Sequence, residues 1–102
     1  MTGRKIEPIY FEDGNMSLEN VQPGDYWKSQ GVWEGVCPYA KHPDEFSHRL
    51  VLASFAKHDV TEHDDGTITV SPSILVSAPW GPSQTVFEFF HGYLERGIWR
   101  VC

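Results

Sequence analysis

The stretch from Asp64 to Cys102 alternates apolar and polar residues between tight-turn signals, and that pattern limits what the chain can fold into. Asp64-Asp65-Gly66 lies between two β-prone runs, Asp59–His63 and Thr67–Ser71. A glycine after aspartate supplies the positive φ that a hairpin turn requires. Ile68 and Val70 alternate with Thr67, Thr69 and Ser71, which predicts one buried and one wet face. Thr85–Leu94 reads as a long strand. Glu95-Arg96-Gly97 reads as a turn with Gly97 at positive φ, and Ile98–Val101 as the returning strand. Pro72 demands a bulge or bend and argues against a central strand there. Ala78–Ser83, with Pro79, Trp80, Gly81 and Pro82, reads as a loop.

The first half is less regular. Ile6–Phe11 is β-prone but holds Pro8, so it is expected as an edge strand. Glu12–Asn15 and Gln22–Asp25 are turn signals, and Ser17–Val21 has room for a turn or two of helix at most. Asp25–Lys28 is expected as a strand, while glycines leave Gly31–Cys37 open between strand and loop. Pro38–His48 reads as a loop with one helical turn over Pro43–Phe46. Arg49–Ala56 is expected as a strand buried on both faces. The whole predicts an all-β domain, or a β-rich one with one short helix at most. Residues 1–102 would form one small antiparallel sandwich or barrel.

The formal net charge of −6 disfavours phosphate backbones, so nucleic acid is not expected as a direct partner. No apolar run is long enough for a membrane span, and no apolar stretch follows Arg4-Lys5 as in a secretory signal. Two cysteines, Cys37 and Cys102, are fewer than small secreted domains usually carry. The expectation is a cytoplasmic protein with reduced thiols, a Cys37–Cys102 disulfide being the alternative.

No nucleophile elbow, phosphate-cradling glycine loop or standard zinc spacing is present, so neither enzymatic activity nor a cofactor is expected. Cys37, His42 and His48 are weak metal candidates, because Cys-x4-His-x5-His matches no standard zinc pattern. His58 and His63 read as surface histidines beside carboxylates. Alternation over Phe87–Leu94 places Phe87, Phe89, His91 and Tyr93 on one face and Glu88, Phe90, Gly92 and Leu94 on the other. His91 and Tyr93 are therefore candidates for an aromatic-walled pocket. Trp33 and Trp80 sit in Gly- or Pro-punctuated segments and are expected to be exposed. Asp59, Glu62, Asp64 and Asp65 concentrate negative charge around one hairpin.

Asp65-Gly66-Thr67-Ile68-Thr69-Val70-Ser71-Pro72-Ser73-Ile74, with Phe90-His91-Gly92-Tyr93-Leu94 and Gly97-Ile98-Trp99, resembles small proteins encoded by bacteriophages and prophages. The resemblance covers about the last forty residues and implies a phage origin without a known activity. Some similar sequences carry several cysteines upstream where this chain has Cys37 alone. The expected function is a small acidic interaction protein that binds and blocks a host protein with a basic surface, such as a nucleic-acid-binding defence protein. Asp59, Glu62, Asp64, Asp65, Trp33 and Trp80 would form the contact. Two alternatives follow from the same residues. One is a β module holding a sugar, other ligand or virion component on its aromatics, and the other is a metal-stabilised structural domain.

Overall fold

The computed structural model describes residues 1–39 and 50–102. Among these residues there are eight strands: β1 (Arg4–Lys5), β2 (Asp25–Ser29), β3 (Val32–Val36), β4 (Leu52–Ser54), β5 (Asp59–Glu62), β6 (Ile68–Trp80), β7 (Thr85–Glu95) and β8 (Ile98–Val101). They form two four-stranded sheets, ordered β1-β2-β3-β4 and β5-β6-β7-β8. No helix occurs among the described residues, so the chain is all-β. All pairings are antiparallel except β1 with β2, which run parallel, so the first sheet is mixed rather than antiparallel. The predicted helical turn at Pro43–Phe46 lies outside the described residues.

The two sheets share one core. Tyr26, Trp33, Ala53 and Phe55 from the first sheet and its following turn meet Ile68, Val70, Ile74, Phe90, Leu94 and Trp99 from the second. Each fully buried aliphatic such as Ile68 or Leu94 contributes about 1.5–3 kcal/mol. Trp99 packs edge-on against Phe90, ring centres 5.6 Å apart, and tilts against Phe55 at 6.3 Å. Tight turns set the registers. Gln30-Gly31 and Arg96-Gly97 both hold two positive φ values, the geometry that matches strand twist in a two-residue hairpin. The turn after β5 is a three-residue loop, Asp64-Asp65-Gly66, with Gly66 at φ 86° and the Gly66 N–H donating to the His63 carbonyl.

Several sequence expectations are corrected. The N-terminal strand is Arg4–Lys5, not Ile6–Phe11. The Ile6 N–H still donates to Tyr26, but Pro8 has no N–H to extend the ladder, and Ile9 and Phe11 stay exposed. Of the expected strand Arg49–Ala56, Arg49 lies outside the described residues, and among the rest the strand is Leu52–Ser54, at the end of the order β1-β2-β3-β4. Ala53 and Phe55 are buried while Leu52 is 47% exposed, so one face is covered, not two. Pro72 does mark a register shift, between Val70 and Ile74, but β6 runs through it for thirteen residues. Up to Ser71 this strand is central, between β5 and β7. Beyond Ser71, among the described residues, it pairs with β7 alone, which is where a sheet tolerates proline. The predicted loop at Ala78–Ser83 shrinks for the same reason. Ala78, Pro79 and Trp80 belong to β6 and pair with Phe87, Val86 and Thr85.

Candidate functional site

β5 is an edge strand, and Asp59 and Glu62 on it are exposed, as are Asp64 and Asp65 in the following turn. The four carboxylates are not equivalent. Asp65 accepts from the Thr67 hydroxyl at 2.6 Å and from the Thr67 N–H at 3.0 Å, so it builds the turn. Those bonds, the hydroxyl first, hold its carboxyl below the usual carboxylate range. Glu62 pairs with Lys28 of β2 at 3.3 Å, an ion pair that ties the two sheets together. Asp59 and Asp64 have no side-chain hydrogen bond or ion pair among the described residues. Charge is also segregated along the chain, because no ionisable side chain occurs between Asp65 and Glu88.

The aromatic candidates do not form one platform. Trp80 is exposed to 38% as expected, but Trp33 is buried at 7%. Trp33 lies in β3 rather than in a loop, so its ring faces the core, tilted against Tyr26 at 6.2 Å. Its indole N–H has no hydrogen-bond partner among the described residues. Tyr93 is 39% exposed. Hydrogen bonding to Cys102 holds its phenol above the ordinary range. Trp80 contacts Phe89 at 6.1 Å, and Phe87 contacts Phe89 at 5.2 Å, on the core-side face of β7. Tyr93 projects from the opposite face, as its neighbour Leu94 is fully buried.

Cys37 is buried, and burial pushes its thiol up to about 12. His42 and His48 lie outside the described residues. Among the described residues no three His, Cys, Asp or Glu side chains gather as metal ligands. Both cysteines are free. His58 and His63 are not plain surface groups. His58 Nε2 lies 3.2 Å from the Ser73 carbonyl oxygen, which fixes this nitrogen as the donor, and His63 Nε2 lies 2.7 Å from Thr69 Oγ1.

Around His91 the structure departs most from strand alternation. Val76 pairs with Phe90 and Ser77 with Glu88, so Phe89 is an extra residue on β7. This bulge turns Phe89 and Phe90 both inward, and both are buried. It also brings Glu88 onto the same outer face as His91, where regular alternation would separate them. Glu88 Oε1 lies 3.9 Å from His91 Nδ1. On the other side of the ring, Ser73 Oγ lies 3.3 Å from His91 Nε2. Ser73 reaches His91 through the second irregularity, between Val70 and Ile74. A serine, a histidine and a carboxylate thus stand in line, and neither Ser73 nor Glu88 carried a sequence signal. Beside Glu88 and His91 lies a groove of about 460 Å³, walled by Tyr39, Phe87, Phe89 and Val101.

No protein-family model, no curated protein and no solved structure matches this chain.

Proposed function

We propose that this protein is an interaction domain that docks on a basic surface of another protein through the β5 edge and its following turn. The observation that carries the reading is the exposure of Asp59, Glu62 and Asp64 on one edge strand and its turn, followed in the chain by residues 66–87, which hold no ionisable side chain. An edge strand offers main-chain donors and acceptors as well as side chains. Carboxylates on such an edge speed encounter with a positive patch and orient the docking. The resemblance of the C-terminal hairpin to phage-encoded proteins supports a bacterial host protein as the target, bound in the host cytoplasm. A host protein that itself binds nucleic acid presents the required basic surface. Trp80 is the aromatic anchor at the tip of the hairpin, and buried Trp33 takes no part in contact.

The test uses the tagged full chain in a bacterial lysate, with the charge-reversed triple variant Asp59→Lys, Glu62→Lys and Asp64→Lys as comparison. Asp65 is left in place because it builds the turn. A partner retained by the wild type should be lost by the variant, and its affinity should fall as salt rises from low to physiological strength. A purified partner that binds both proteins equally and ignores salt refutes the reading.

A further inference from the structure

We propose that Ser73 is a reactive nucleophile, with His91 as its base and Glu88 as the group that orients the base, and that this site accepts acyl groups from aryl esters. The inference is independent of the docking surface, which lies on β5.

The geometry follows the order such a relay requires. Ser73 Oγ and His91 Nε2 are 3.3 Å apart, and His91 Nδ1 faces Glu88 Oε1 at 3.9 Å. A carboxylate opposite Nδ1 favours the tautomer with the proton on that nitrogen. Nε2 is then left with a lone pair directed at the serine hydroxyl. Before substrate arrives, hydrogen bonds of a catalytic relay are commonly longer than in the reacting complex. His58 acts from behind by donating its Nε2 proton to the Ser73 carbonyl, which pins the main chain of the irregular segment that carries the nucleophile. Two departures from regular pairing, one on each strand, create the arrangement. Strand irregularities of this kind are the usual means of re-aiming a side chain at a functional site.

The neighbouring groove defines the substrate class. Its volume of about 460 Å³ lies within the range of small-molecule sites. Tyr39, Phe87, Phe89, Phe90 and Val101 give it aromatic and aliphatic surface, and Glu88 and His91 also line it. Ser73 does not line this groove, so an aryl ester with its ring against that wall would have to carry its carbonyl past His91 to reach the Ser73 hydroxyl. In the first step the Ser73 Oγ–C bond forms while His91 Nε2 takes the hydroxyl proton, and the carbonyl electrons move to oxygen. Collapse of the intermediate breaks the ester C–O bond, and the leaving phenolate oxygen takes the proton from His91 and departs as the phenol. Water then repeats the sequence at the acyl-serine, which frees Ser73 and releases a carboxylic acid.

The experiment incubates the full-length protein with 4-nitrophenyl acetate, followed by intact-mass measurement, peptide mapping and release of nitrophenolate. One acetyl group is expected on Ser73, absent from Ser73→Ala. His91→Ala should slow acetylation of Ser73 by about a hundredfold, and free imidazole should restore part of the rate. Glu88→Gln should slow it, whereas Glu88→Asp should retain more of the rate. A purely structural role for His91 would give no rescue by imidazole. If His91→Ala does not fold, His91→Asn serves in its place, judged by an unchanged unfolding midpoint. Acetylation that falls on lysines alone, or a Ser73 rate unaltered by loss of His91, overturns the proposal.

Discussion

The indole N–H of Trp99 donates to the carbonyl of Gly24, 2.9 Å away and 75 residues earlier in the chain. This bond joins β8 of one sheet to the turn that opens β2 of the other. Gly3 lies beside it, where a Cβ would come within 2.7 Å of the same Gly24 oxygen. The ring is fully buried against Phe55 and Phe90, so it combines apolar contact with a specific polar tie between sheets. Trp99→Phe removes the donor, leaves the Gly24 carbonyl without it, and opens a void. We expect a loss of about 2–4 kcal/mol in urea unfolding. A loss below about 1 kcal/mol would show that the sheets are held together elsewhere.

Gly92 and Gly66 should respond unequally, and for different reasons, to the same substitution. A Cβ on Gly92 would run into the Arg100 carbonyl of β8 and sit 2.8 Å from Phe90 Cζ, so Gly92→Ala must push β7 and β8 apart. We expect it to cost more than about 2 kcal/mol, as overpacking against backbone does. At Gly66 a Cβ would meet nothing within 4 Å, and the cost arises from φ 86° alone. Gly66→Ala should therefore cost about 1 kcal/mol. Thermal unfolding of the two variants side by side measures the difference.

The fold was legible where alternation and turn chemistry agree. Ile68 and Val70 are buried as their spacing requires, Asp64-Asp65-Gly66 forms the turn, and Ile98–Val101 is the final strand. It was illegible where pairing slips. The extra residue at Phe89 inverts the face of every residue N-terminal to it on β7, so sequence alternation placed Glu88 opposite His91 when both lie on one side. Trp33 misled for a related reason. The glycines around it suggested a loop, yet Gly31 serves the turn, and Gly35 lies where a Cβ would come within 3.2 Å of Phe55 and of the Asp25 carbonyl. Neither glycine exposes the tryptophan between them. Ser73 lay in a segment whose proline pointed to a bend, and its neighbour in space is eighteen residues away.

The two cysteines should separate cleanly by reactivity. Cys102 is exposed, while Cys37 is buried with its thiol pushed up to about 12. Native protein at pH 8 should react with a thiol reagent at Cys102 and much more slowly at Cys37, with both reacting after denaturation. The unfolded Cys37 thiol ionises near its ordinary 9.0, whereas the folded one keeps its proton to higher pH. The preference for the folded state is therefore full below pH 9 and is lost as pH rises toward 12. Cys37→Ala should weaken that alkaline loss. Equal labelling of both thiols in the native state would contradict the burial of Cys37.

Asp65 gives the acid side of the same argument. Its carboxyl is held below the ordinary 3.8 first by the Thr67 hydroxyl and then by the Thr67 N–H. A depressed carboxyl favours the folded state above the unfolded value, and the contribution disappears as pH falls through the lower folded value. Asp65→Asn keeps an acceptor for Thr67 but has no charge to lose. The stability gap between wild type and Asp65→Asn should thus be constant near neutrality and close below about pH 4. Thr67→Val removes the larger of the two bonds, so the gap measured in that background should be smaller, because the two residues share one interaction. Urea unfolding at several pH values supplies all four proteins' stabilities. A gap that persists unchanged to pH 2, or is the same with and without the Thr67 hydroxyl, would mean that Asp65 acts in the turn by shape and not by charge.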